Sequence, residues 1–502
     1  MRKTSRAVSL PSPVGGWNAR DSIAAMPPTD AVSMVNWFPG TSDVILRFGH
    51  TQYATGFPTQ VETILAYSGS TTDTLFGISN GSVYDATAGG TVGAAVLSGL
   101  TNSRWQYVNI ATPGGNFIEM CNGVDAVRSY DGASWASPAI TNVTSSNLIN
   151  INLHKNRLWF CEVGTLKAWY LPVQSIAGAA ASLDLSSFCP HGGYLMAMAT
   201  WTIDAGYGVD DLAVFVTNKG DVLIYRGTDP SSASTWALVG VFSVGTPIGR
   251  RCFVKYKGDL LLITQDGLVS AASYLQSSRL DPKVTLTDKI QYAMNQAISV
   301  YGSNFGWQVI PYPAQSMLIL NVPYGESSNQ QQFVMNTITG NWCNFQGWEA
   351  SCWEIYSDDP YFGSNTFIGK AWNTNSDNGD DINADALQAF NYFGKPGELK
   401  RFSMIRPILL TNGTPVVLGA VNVDYDTTAP TDTLSVSVTS YGIWDVGRWD
   451  DAIWGADLNV SRNWQSVTGI GYCGAPRLKT ANNGLQLQWV GTDVVMEPGA
   501  IL

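Results

Sequence analysis

The sequence predicts an all-β protein: a β-propeller with an additional β-sandwich-like platform domain formed by the N- and C-terminal segments. The first observation behind this is a hairpin pattern. Residues 211–228 hold two β-prone runs, 212–217 and 222–225, either side of Asn218-Lys219-Gly220. Asn and Gly tolerate positive φ, so Asn-x-Gly between apolar runs reads as a tight hairpin. The second observation is recurrence. Similar pairs stand at 74–87, 116–130, 156–171 and 259–274, a degenerate pair spans 316–345, and a last apolar fragment covers 361–372. The turn glycines Gly81, Gly123, Gly164, Gly220 and Gly267 lie 42, 41, 56 and 47 residues apart. Strand-rich repeats of about 40–50 residues are the signature of propeller blades, here about five to seven of them between Thr59 and Asn373. An ordinary meander or sandwich is the alternative, since hairpins occur in every β protein.

Composition is the third observation. Charged residues make up 13% of the 502, with 50 Gly and 18 Trp, 21 Tyr and 18 Phe. That charge fraction is about half the usual ~25%, and a surface of Ser, Thr, Asn and Gly fits a secreted or assembly-forming β protein. The net charge of −11 argues against a basic groove gripping nucleic acid. The seven cysteines are an odd, scattered set with no CxxC pair, which reads as reduced core residues and cytosolic synthesis. The basic start, MRKTSR, has no apolar run behind it, so no signal peptide is expected, and no stretch approaches the ~18 apolar residues of a membrane span.

In chain order, residues 1–58 form a Pro- and Gly-punctuated arm. Thr29 or Asp30 can cap a short helix through Met34, and Val44-Ile45-Leu46 reads as a strand. The propeller-like region covers 59–373. It is interrupted at 286–300, where Ile290, Ala293, Met294, Ala297 and Ile298 fall at helical spacing behind a Thr287 or Asp288 cap. This helix is expected to dock on the outside of a blade. Residues 374–397 read as a polar, acidic linker with a short helix around 384–390. From 398 to 502 strands return, at 402–410, 416–423, 434–439, 485–490 and 494–496, as a sandwich-like platform domain. Propeller termini lie close together, so the arm and this last domain are expected to pack on each other. Trp444, Trp449 and Trp454 are spaced by five, which is neither helical nor strand periodicity, and predict a loop or bulged ribbon.

Little in the chain points to chemistry. His50, His154 and His191 sit in no nucleophile or metal motif, and Cys189-Pro190-His191 are neighbours too close in sequence to align for proton transfer. Residues 129–135 are similar to a sialidase Asp-box but one residue short and present once; Asp358-Asp359 reads as a turn. Asp377, Asp380, Asp381 and Asp385 could offer oxygens to Ca²⁺, though not in an EF-hand register, and a solvated linker is the simpler reading. No enzyme activity, cofactor or metal is expected.

One ordered set of residues resembles a known family. Gly15, Gly16, Asn18, Arg20 and Asp21 are followed by Met26, Pro27, Pro28, Asp30 and Ala31, then Asn36, Trp37, Phe38 and Pro39, then Arg47 and Gly49. This order resembles the tail nozzle, or tail tubular protein B-like, group of short-tailed bacteriophages and its packaged-DNA-stabilisation relatives. Trp17 and Val35 depart from the usual pattern. A second segment, Phe333-Val334-Met335-Asn336 through Thr339-Gly340, Trp342-Cys343 and Tyr361-Phe362-Gly363, looks like the same group. The resemblance implies a virion structural protein, made in the host cytoplasm and located in the tail. It implies a homo-hexameric ring that meets tail adaptor and portal proteins and tail fibres or spikes, and that passes genomic DNA without sequence-specific binding. Asn18, Arg20, Asp21, Trp37 and Phe38 are the candidate assembly or packing residues. Trp444, Asp445, Trp449, Asp450, Asp451, Trp454 and Asp457 are candidates for a channel or tip loop. Carboxylates in such a channel would repel DNA over about a Debye length, ~8 Å, so Lys at these Asp positions is expected to slow genome ejection at low salt. A host-glycan-binding or glycan-cleaving tail component, with Trp449 and Trp454 stacking on sugar rings, is the alternative.

Overall fold

Short apolar runs ended by glycine or asparagine turns favour strands, and the computed structural model is all-β, 53% strand and 6% helix. It describes residues 5–70, 72–204, 209–276, 285–431, 434, 441–442, 453–454 and 458–499.

Among the described residues seven groups of antiparallel strands follow one another along the chain, the sixth of them part of a nine-stranded sheet. Their first strands are Val61–Ser68, Gln106–Thr112, Leu148–His154, Leu195–Asp204, Phe253–Tyr256, Gln308–Tyr312 and Cys352–Tyr356. Each of these strands packs beside the next, and Cys352–Tyr356 returns to Val61–Ser68, so the strand groups form a closed ring. The seams between successive sheets carry the core. Leu65, Phe76, Trp105 and Ile118 fill the seam between the first two, and Trp159, Phe215, Tyr225 and Trp236 fill that between the third and fourth. The Gln291–Tyr301 helix presses Met294, Ala297 and Ile298 onto the fifth and sixth, at the spacing read from the sequence. The seventh sheet is completed from outside the repeat: His50–Thr55 pairs antiparallel with Phe367–Ala371.

The turn glycines have a concrete task. Gly220 has φ 86°, and a Cβ there would lie 2.1 Å from the carbonyl oxygen of Val244. Gly81 is alike, with φ 64° and a would-be Cβ 2.2 Å from that of Leu100. In both, the N–H of the residue approached (Val244 or Leu100) donates to the glycine carbonyl, so the chain leaving each sheet is stitched onto its hairpin tip.

A two-sheet platform joins the chain's ends. In one sheet Leu487–Pro498 pairs with Arg6–Pro11, Val44–Leu46 and Lys400–Thr411. In the other, Asp30–Val35, Ile382–Gln388, Gly474–Asn482 and Val417–Val423 run side by side. Val35 also pairs with Asn344 of the ring's sixth sheet, so hydrogen-bonded sheet runs without a break from ring to platform.

Several sequence expectations change here. The expected helix through Met34 is the strand Asp30–Val35, because β-branched Val32 and Val35 lie in a slot with strands on both sides. The expected helix around 384–390 is likewise the strand Ile382–Gln388, central in its sheet, so residues 374–397 are no mere linker. His50–Thr55, assigned to the arm, belongs to the ring. The last two expected strands are one, Leu487–Pro498.

Trp37 and Phe38 lie in the shared platform core, Trp37 wholly buried with its ring 5.8 Å from Trp489. Trp37→Ala is expected to cost about 3–5 kcal/mol, the usual loss for a buried aromatic. An unchanged urea midpoint would contradict that placement.

Candidate functional site

The polar residues of the resembling stretch at 15–49 assemble into two knots. In the first, the Asn18 amide donates to Asp21 (2.9 Å) and Asp30 (2.8 Å). Lys289 Nζ donates to Asp30 at 2.9 Å and to the Gly15 carbonyl at 2.6 Å. Arg20 pairs with Asp21 at 2.8 Å and with Asp288. The arm is thereby clamped to the start of the Gln291–Tyr301 helix. Hydrogen bonds from Arg20, then Asn18, pull the Asp21 carboxyl down to about 2.

In the second knot, the Arg47 side chain is wholly buried. Its guanidinium donates to Asn36 Oδ1 (2.8 Å), to both Asp377 oxygens (2.9 and 2.5 Å) and to the carbonyls of Phe48 and Gln346, while lying over the Trp348 ring. His50 Nδ1 is 3.2 Å from Asp377. Burial pushes the Asp377 carboxyl up, but the bonds from His50 and Arg47 outweigh it and the net shift is downward. Asn36, at φ 59°, also donates to the Asn383 carbonyl at 2.7 Å. Arm, ring and platform meet at this one point. Trp17, a departure from the family pattern, packs edge-on against Phe333 at 5.3 Å.

The ring encloses a narrow central cavity of about 200 Å³ lined from all seven first strands or the turns just before them. Glu354, Tyr107, Arg250 and Arg251 are the ionisable residues of its lining. Burial lifts the Glu354 carboxyl to about 7, against the opposing pull of the Tyr107 hydroxyl and Arg251. Burial also lowers the Arg251 guanidinium from its ordinary value. At the N-terminal ends of these strands the channel opens into a larger pocket of about 480 Å³, where Arg104, Arg250 and Arg251 converge. Phe305 takes two of them on its ring, Arg104 at 4.4 Å and Arg251 at 5.2 Å. Sequence reading missed this pocket. Its signal is Arg250-Arg251, the chain's one Arg–Arg pair, placed just after Gly249.

The remaining candidates are engaged elsewhere. His191 Nδ1 sits 2.6 Å from the buried Asp221, which also accepts the His191 backbone N–H; burial pushes the neighbouring Cys189 thiol up to about 11, opposite to what a nucleophile needs. Asp131 caps its own turn through the N–H groups of Ala133 and Ser134. Of the acidic set at 377–385, Asp377 faces Arg47 and Asp385 faces Arg477 at 2.6 Å. Among the described residues no group of three His, Cys, Asp or Glu side chains is placed to hold a metal, and no helix is long and apolar enough to cross a membrane. Trp444, Asp445, Trp449, Asp450, Asp451 and Asp457 lie outside the described residues; Trp454 is described only as backbone, in a short parallel pairing of Ile453–Trp454 with Tyr441–Gly442.

No protein-family model and no curated protein matches the chain. Among solved structures it is similar to the computationally designed Ika8 protein, at 9% identity and a TM-score of 0.38 over 64% of this chain and 100% of that one. It is also similar to the extracellular domain of a hybrid two-component system from B. thetaiotaomicron, at 11% identity and a TM-score of 0.40 over 64% of this chain and 39% of that one. Likeness at this level carries no statement about what the chain does.

Proposed function

We propose that this protein is a structural subunit of a short-tailed bacteriophage tail, of the nozzle or tail tubular protein B-like group, and that it performs no catalysis. The observation that supports this reading is the fate of the resembling residues. Asn18, Arg20, Asp21, Asp30, Asn36 and Arg47, together with Trp37, are spent on clamping arm, ring and platform into one unit. Such an arrangement suits a load-transmitting scaffold, since these residues hold the chain's parts to one another. In this reading six copies form a ring on the adaptor below the portal, and the genome leaves through it. Native mass spectrometry and negative-stain images of the purified 54.1 kDa chain test it. A six-fold ring with an opening wider than a DNA duplex is expected. A monomer at every concentration, or turnover of a polysaccharide by the metal-free protein, would overturn it.

A further inference from the structure

We infer that the pocket at the channel mouth is a binding site for a small organic oxyanion, a carboxylate or phosphate carried on a compact body. The chain has a net charge of −11, yet three arginines meet in this one pocket of about 480 Å³. Their partners differ in a telling way. Arg104 is neutralised by Glu62 at 2.8 Å and Glu326 at 2.9 Å. Arg251 is held rigidly by neutral acceptors: the carbonyls of Glu62 and Trp105, the Thr63 hydroxyl and, at 3.4 Å, Gln308. Arg250, exposed on the rim, donates at 2.9 Å to the Asn122 carbonyl alone. Among the described residues neither Arg250 nor Arg251 forms an ion pair. The carboxyl that lines the channel with Arg251 is Glu354, which burial lifts to about 7.

Two arginines fixed by neutral acceptors, beside a third that takes the pocket's Glu62 and Glu326, leave net positive potential in a concave site, and a guanidinium fork matches a carboxylate or phosphate in two bonds. Val124, Met196 and Phe305 give the pocket an apolar wall on which the body of the ligand can lie. Sugar acids and sugar phosphates share this chemistry, and the test separates them.

The experiment is isothermal titration of the full-length protein with glucose 6-phosphate, glucuronate and glucose at fixed ionic strength. Saturable binding of at least one anion and none of glucose is expected; which anion binds more tightly assigns the source. Arg250→Gln should weaken that binding about tenfold or more, as for loss of a charge-assisted bidentate contact, while leaving the melting curve unchanged. Val124→Trp fills the rim without altering charge and should weaken binding as much. Failure of both anions to saturate, binding of glucose as tight as that of the anions, or wild-type affinity in either variant would overturn the inference. A hexameric ring without anion binding would refute this site and leave the structural role intact.

Discussion

Replacing Glu119 by Gln is expected to raise the stability of this protein at pH 8 and to leave it nearly unchanged at pH 4. Glu119 is fully buried in the second sheet of the ring and neither carboxyl oxygen has a well-formed hydrogen bond. Burial drives its pKa from 4.5 to about 8, with only Ser129, opposite it in the sheet, favouring the charged form. The folded state therefore holds a proton that the unfolded chain releases. The penalty is absent below about pH 4.5, grows as the pH rises and is complete above about 8, where it reaches roughly 5 kcal/mol. Gln carries no charge to bury, so the variant's urea midpoint should fall much less between pH 5 and 8. Parallel wild-type and variant pH profiles would show that Glu119 does not stay protonated. His154 sets the opposite limb. Burial lowers its pKa from 6.5 to about 4, so stability falls as the pH drops through that window. Wild-type stability should consequently peak between about pH 4.5 and 6.5.

Asp377→Asn is expected to cost about 3–5 kcal/mol, the loss seen when one member of a buried ion pair is removed and the other stays charged. The Arg47 side chain has no exposed surface and cannot turn to water. Because the Asp377 pKa is depressed, its contribution is present above the ordinary carboxylate range and is lost as the pH falls through the lower folded value. Arg47→Met combined with Asp377→Asn should recover part of the loss, since no charge is then left buried. Equal stability of Asp377→Asn and wild type in urea would mean that the knot does not hold the platform to the ring.

What the sequence made legible follows from how local each signal is. A hairpin turn that needs φ above zero shows itself as a glycine between two apolar runs, and all five turn glycines used for the repeat have positive φ. The Gln291–Tyr301 helix was legible because its apolar stripe lies within eleven residues. The strand Ile382–Gln388 was not. Its polar members look like solvated linker until distant partners appear: Asp385 on Arg477, the Asn383 carbonyl on Asn36, and Gln388 on the Pro11 carbonyl. The arginine pocket was hidden for the same reason, being built from the ends of strands in separate sheets. The motif at 15–49 was visible as a pattern, but only the fold shows that its polar residues bond mostly to one another and to the helix and segment they clamp.

The strand that completes the seventh sheet has a consequence for synthesis. His50–Thr55 leaves the ribosome early, and its partner Phe367–Ala371 follows about 310 residues later. At ~5–20 residues per second the wait is roughly 15–60 s. Throughout it the edge of His50–Thr55 that takes Phe367–Ala371 stays open, its other edge pairing with Gly90–Thr91, and the seventh sheet is unfinished. Such edges are templates for pairing with neighbouring chains, and polysomes bring identical chains side by side. The same latch that closes the mature ring therefore leaves a strand edge open to exchange of His50–Thr55 between neighbouring chains during synthesis.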